Sequence, residues 1–211
     1  MKKGYFITFE GPDGSGKTTI STRVFEKLNA LGHTTIYTRE PGGILISEKI
    51  RDIILNPEHI NMDPKTEALL YAAARRQHLV EKIIPNLEKG HIVISDRFVD
   101  SSLAYQGIGR GIGLDEVYDL NMFAIEGYLP DLTIFLDIDP ETGLQRLENR
   151  PFKDRLDQEG LAFHQAVTQG YEIVKKKYDD RITLFDATQS IETLVDNITN
   201  YILTWIKQHE R

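Results

Sequence analysis

Short β-branched and aromatic runs punctuate the chain at 5–9 (YFITF), 34–38 (TTIYT), 91–95 (HIVIS), 132–138 (LTIFLDI) and 181–186 (RITLFD). None alternates cleanly between apolar and polar residues, so each predicts a strand covered on both faces. Stretches with helical spacing separate them. Ile20, Val24, Leu28 and Leu31 recur on one helix face and Gly32 stops the run, which predicts a helix over 17–31. Leu194, Ile198, Ile202 and Ile206 repeat the pattern near the C-terminus. Strands alternating with helices indicate an α/β fold: a parallel sheet with helices on both faces.

A further helix is expected over 63–84, with Asp63 as its cap, Pro64 in its first turn and Pro85 ending or kinking it. Leu69, Ala73, Val80, Ile83 and Leu87 share one face, expected to be the core face. Tyr71, Arg75 and His78 fall on the opposite face, expected to be an outer one that covers a pocket. The glycine series GIGRGIG at 107–113 follows no strand and reads as a flexible turn.

At 211 residues the chain fits one domain spanning 1–211, and no repeat or linker divides it. No apolar run approaches a membrane span, and MKKGYFITFEG does not read as a signal peptide. The lack of cysteine excludes thiolate chemistry and disulfides and suits the cytoplasm. A net charge of −7 argues against a nucleic-acid polymer as partner. Any anionic ligand must then be met by local cations.

Such a site is written into Gly11-Pro12-Asp13-Gly14-Ser15-Gly16-Lys17-Thr18. The spacing is that of a P-loop, directly after a predicted strand and before a predicted helix. Backbone N–H groups and the helix N-terminus cradle phosphates; Lys17 is expected on the β/γ-phosphates of a nucleoside triphosphate and Thr18 on Mg²⁺. Switches, motors and kinases share this loop, so the acceptor must be sought elsewhere. The run at 91–95 ends in Ser95-Asp96-Arg97, where Asp96 can hold a metal-bound water and Arg97 an anion. The run at 34–38 ends in Arg39-Glu40-Pro41-Gly42-Gly43. Arginines at two strand ends facing a P-loop suggest a second phosphate group.

On the helix face above, Tyr71 offers a ring for base stacking and Arg75 donors for a base carbonyl. If 98–107 is helical, Ser102, Tyr105 and Gln106 lie together, and Gln106 can read the amide edge of a pyrimidine. Arg150, Lys153 and Arg155 make a short basic segment, either a lid over triphosphate oxygens or a solvated charged loop. A phosphate acceptor is largely deprotonated at neutral pH, so no strong general base is required.

Together, GPDGSGKTT, TREPGG, the helix carrying Tyr71 and Arg75, SDRFVDSSLAYQG and the basic DRLD segment resemble the bacterial thymidylate kinase family, in order from residue 5 to about 188. The resemblance implies a P-loop kinase fold with strand order 2-3-1-4-5, a lid near 146–158, a homodimer, and transfer of the ATP γ-phosphoryl group to dTMP. It places Arg39 and Arg97 on the dTMP phosphate, Tyr71 on thymine, Arg75 and Gln106 on the base edge and Ser102 beside it. Tyr105 falls where a ribose 2′-hydroxyl would fit, and Glu40 and Arg51 border the acceptor. Asp13 falls at the acceptor 3′-hydroxyl and close to the metal, and 186–189 near adenine. Lys17, Asp13, Arg39 and Arg97, with Arg150 or Arg155 as the closing cation, form the implied catalytic set. The sequence departs from the family's usual pattern in Tyr71, where Phe is common, and in Ile44-Leu45-Ile46 after the double glycine.

Overall fold

A computed structural model describes residues 4–148 and 153–209. The five runs form parallel strands β1 (Tyr5–Glu10), β2 (Thr35–Arg39), β3 (Ile92–Asp96), β4 (Leu132–Asp137) and β5 (Ile182–Asp186), in the order β2-β3-β1-β4-β5. The register sets Asp96 level with Phe9 on one side and Arg39 on the other, which brings three strand ends to one rim of the sheet.

Both faces of the sheet are covered at its three central strands, which is why β1, β3 and β4 read as continuous apolar runs; the expectation fails for edge strand β5, where Leu184 is 52% exposed. On one face Ile7, Phe9 and Ile94 pack against Ile20, Val24 and Leu28 of α1 (Lys17–Ala30) and Leu194, Ile198 and Ile202 of α9 (Ile191–Gln208). Leu31 lies just past α1 and is exposed. On the other face Phe6 and Val93 meet Phe98, Leu103 and Val117. Phe98 caps α5 (Val99–Ser102), Leu103 begins its continuation Leu103–Gly109, and Val117 belongs to α6 (Leu114–Ile125). The remaining helices are α2 (Leu45–Leu55), α3 (Pro64–His78), α4 (Ile84–Glu88), α7 (Pro140–Glu148) and α8 (Leu161–Lys177).

Two expectations are corrected. Asp63 does cap α3, accepting from the N–H groups of Lys65 and Thr66, but the faces of α3 are reversed. Arg75 and His78 are buried, whereas Leu69, Ala73 and Val80 face outward. The charges can point inward because each is paired there, and small Ala68 and Ala72 let the helix lie close to its neighbours. A wide π-helical turn at Leu79–Ile83 then keeps Ile83 and Leu87 in line with Leu79 in the core as Val80 turns out. Residues 107–109, expected in a flexible turn, instead close the π-helical segment after α5. They do so because α8 crosses it closely: a Cβ on Gly170 would lie 2.8 Å from Ala104 Cα.

A buried ion pair ties α3 to the end of β2. Glu40 accepts from Arg75 Nε at 2.7 Å and meets His78 Nδ1 at 2.9 Å. Burial alone would push this carboxyl up, but Arg75 and His78 outweigh it and hold it below its ordinary value.

Gly170→Ala should cost about 1–3 kcal/mol by overpacking the α8 crossing, read as a lower urea midpoint at unchanged m. Glu40→Gln should cost about 3–5 kcal/mol at neutral pH, because it leaves Arg75 buried without its counter-ion. The depressed carboxyl contributes stability that is fully present above its ordinary value of 4.5 and is lost as pH falls through the folded value. Unfolding curves taken from pH 6 down to pH 3 should therefore fall less steeply for Glu40→Gln than for the parent chain.

Candidate active site

At the rim of β1, β2 and β3 a cavity of about 300 Å³ opens between the P-loop and α3. One end is built for phosphate. Gly16, left-handed at φ 86°, turns the loop into α1 and aims its first N–H groups at the cavity. Lys17 folds back, donating to Pro12 O at 2.8 Å, and burial together with the nearby Arg97 guanidinium pushes its amine down to about 7. Thr18 donates its hydroxyl to Asp96 Oδ2 at 2.5 Å, which sets a hydroxyl and a carboxylate side by side at the cavity wall. α7 leans on the loop without an intervening side chain: a Cβ on Gly14 would lie 2.2 Å from Gly143 O, and one on Gly143 2.9 Å from Asp13 O.

Arg97 follows β3 in a left-handed conformation, φ 73°, sparsely populated for a residue with a side chain. Its N–H still donates to Phe9 O, and the turn sends the guanidinium into the cavity. There it donates to Ser101 Oγ and Tyr171 Oη, each at 2.9 Å, and to Asp13 Oδ1 at 2.5 Å. Tyr105 donates its hydroxyl to the other oxygen of Asp13. Beneath lies Glu10, pushed up to about 7 by burial and by Asp100, and receiving Phe98 N–H at 2.7 Å and Ser101 Oγ at 2.6 Å.

The other end gathers polar and aromatic side chains. Arg75 is only 2% exposed. It donates to Glu40, to Ser102 Oγ at 3.0 Å, to Phe98 O at 3.0 Å and to Asn121 Oδ1. Tyr71, Ser102, Tyr105 and Gln106 line the same cavity. Arg51 stands at the rim, donating to Pro41 O at 2.8 Å. Arg39 also lines it, exposed and paired with Glu48 at 3.0 Å.

Not every expected residue arrives there in the expected way. Glu40 borders the cavity, but Arg75 and His78 take up its carboxylate, so it holds Arg75 in place. Arg155, expected as a lid cation, is buried, donating from Nε to Ile54 O at 2.8 Å and pairing with Glu67 at 2.5 Å. Its guanidinium is tied into the protein between α2 and α3. Arg150 lies outside the described residues, and Lys153 is exposed. The 186–189 segment forms a turn in which Asp186 accepts from Thr188 N–H at 2.9 Å.

Sequence reading missed Glu10, Ser101 and Tyr171 beneath Arg97, Asn121 beside Arg75, and Glu67. It also missed Arg146, which reaches from α7 to Gly14 O at 3.2 Å. A charged residue closing the apolar run YFITFE was the available signal for Glu10. The others are brought in by tertiary packing from positions without local pattern.

The comparisons with known proteins agree with this geometry. A thymidylate kinase family model matches residues 9–198. A thymidylate kinase from Bacillus licheniformis is 55% identical over 209 residues, covering 98% of this chain and 99% of the relative. One from Clostridium novyi is 52% identical, covering 96% of this chain and 100% of the relative. The crystal structure of the Ehrlichia chaffeensis thymidylate kinase superimposes with a TM-score of 0.77 at 33% identity, covering 95% of this chain and 98% of that one. The chain belongs to the thymidylate kinase family.

Proposed function

We propose that this chain transfers the γ-phosphoryl group of ATP to the phosphate of dTMP, giving dTDP for DNA precursor synthesis. The observation that carries the reading is one cavity with a P-loop and Arg97 at one end and Arg75, Tyr71 and Gln106 at the other. Gly11–Thr18 would hold the ATP phosphates and Lys17 would bridge its β- and γ-phosphates. Arg97 would take the acceptor phosphate, exchanging part of its contact with Asp13, and Arg39 would close on it from the neighbouring strand. Tyr71 would stack on thymine, Arg75 and Gln106 would bond its edge and Ser102 would border it. Tyr105 and Asp13 would face the sugar. Closing charge would come from Arg150 and Lys153, with Arg146 already against the P-loop.

Thr18 and Asp96 fit Mg²⁺: they offer hard oxygens at 2.5 Å from each other beside the loop. One or two protein oxygens suffice for this ion when phosphates and water complete its shell. Bound there, it would neutralise charge on the phosphate oxygens. The protein's own part is placement. Arg97, fixed by Ser101, Tyr171 and Asp13, presents a pre-positioned guanidinium to a dianion that needs no general base.

The chain would work as a homodimer. α2, α3 and α6 lie side by side, and Leu45, Ile46, Leu69, Val80 and Phe123 are exposed along them, Phe123 to 85%. An apolar surface of that kind marks a protein contact. No helix among the described residues is long and apolar enough to cross a membrane. With no cysteine in the chain, the cytoplasm is the proposed compartment.

A coupled ADP-release assay across nucleoside monophosphates and nucleosides should show turnover with dTMP well above the others; ATP hydrolysis indifferent to the panel would sink the reading. Arg97→Ala should lower kcat with dTMP by about 10²–10³ while ATP still binds, the scale of a lost pre-positioned donor. Phe123→Asp should shift the sedimentation coefficient from dimer to monomer, and an unchanged dimer would exclude this surface as the interface.

A further inference from the structure

We propose that Glu67, which stands behind the cavity, selects the base by fixing the orientation of the Gln106 side-chain amide. The inference rests on reading the cavity as the dTMP site.

Glu67 lies in the first turn of α3, one and two turns before Tyr71 and Arg75, and is fully buried. Three donors converge on its carboxylate: Gln106 Nε2 at 2.8 Å, Arg110 Nε at 3.2 Å and Arg155 at 2.5 Å. The two arginines have other work that keeps them in place. Arg110 pairs with Glu159 at 2.6 Å and lies 4.5 Å from the centre of the Phe163 ring, while Arg155 is tied to Ile54 O. The Gln106 contact is different, because it decides which way a two-ended group points.

A carboxylate accepts and cannot donate, so the amide nitrogen of Gln106 must face Glu67. The terminal torsion of a glutamine is soft and roughly two-fold, so nothing intrinsic to Gln106 would otherwise choose an end. With the nitrogen held, the carbonyl Oε1 is the end left for the cavity that Gln106 lines. Arg75 supplies the complementary half. Four of its five N–H groups are taken by Glu40, Ser102, Asn121 and Phe98 O among the described residues, which leaves one donor on Nη2.

A donor beside an acceptor matches a ring carbonyl beside a ring N–H, the imide edge of thymine or uracil. Cytosine reverses both groups: its amino group would face the guanidinium and its bare ring nitrogen would face Oε1. Each mismatch leaves buried polar groups unpaired. Released from Glu67, the Gln106 amide can rotate and offer its N–H₂ to a cytosine ring nitrogen, so the barrier against cytosine falls.

The test measures kcat/KM for dTMP and dCMP, and KM for ATP, in the parent chain, Glu67→Gln, Gln106→Met and the double variant, with thermal unfolding of each. Glu67→Gln should lower the dTMP-over-dCMP ratio by roughly 10- to 100-fold, the worth of one or two buried polar mismatches, with KM for ATP unchanged. In the Gln106→Met background the same change should alter the ratio less than about twofold, because Glu67 acts through that amide. A folded Glu67→Gln that keeps the parent ratio overturns the proposal, as does an equal loss in the Gln106→Met background. A parent chain with no preference for dTMP over dCMP overturns the site reading itself. Should Glu67→Gln fail to fold, NMR of the ligand-free parent decides. The Gln106 amide protons should be distinct, one shifted downfield and slow to exchange with water, and a freely exchanging pair at ordinary shifts overturns the proposal.

Discussion

The site depends on an arginine that is almost wholly removed from water. Removing a guanidinium from solvent is tolerable only when nearly every N–H finds an acceptor. Arg75 meets that demand with groups from the end of β2, the turn after β3, α5 and α6. Satisfying one side chain therefore fixes the relative placement of four segments, and the cavity is the space they leave. The pair with Glu40 is weak evidence for stability as such, since a packed apolar pair of similar volume can be as stable. Its value lies in geometry, because an aliphatic substitute would hold α3 against the sheet but leave no N–H donor at the cavity wall.

The phosphate end follows a different rule. The chain is acidic overall, −7 at neutral pH, yet Lys17 and Arg97 converge within one small rim. Each cation is partly answered from within the chain: Lys17 by the Pro12 carbonyl, Arg97 by Asp13. Asp13 thus stands beside Arg97 at the place proposed for a phosphate, which keeps like charges from driving the rim apart. Glu10, deeper and without solvent, anchors the hydroxyls and N–H groups that hold Arg97 from below.

What could be read from the chain was what local pattern encodes. The P-loop spacing, the doubly covered strands and the Asp63 cap each depend on residues a few positions apart. The strand order came through family resemblance. The faces of α3 were misread because an apolar stripe there has two meanings, core or contact with another chain. Only the pairing of Arg75 and His78 with Glu40, some forty positions away, tells which side is inward. Arg155 shows the same limit: DRLD looks like a basic segment, and nothing local says that Glu67 on α3 will bind the cation. Long-range charge pairing was the missing information in each case.

The contact between Gly14 and Gly143 has a mechanical consequence. Backbone meets backbone there with no side chain as a cushion, so the spacing between the phosphate loop and α7 is set by two main chains alone. Because both positions already carry the smallest residue, neither can be reduced to make room for a larger partner. The joint therefore has no slack, and a side chain added at either glycine must displace backbone.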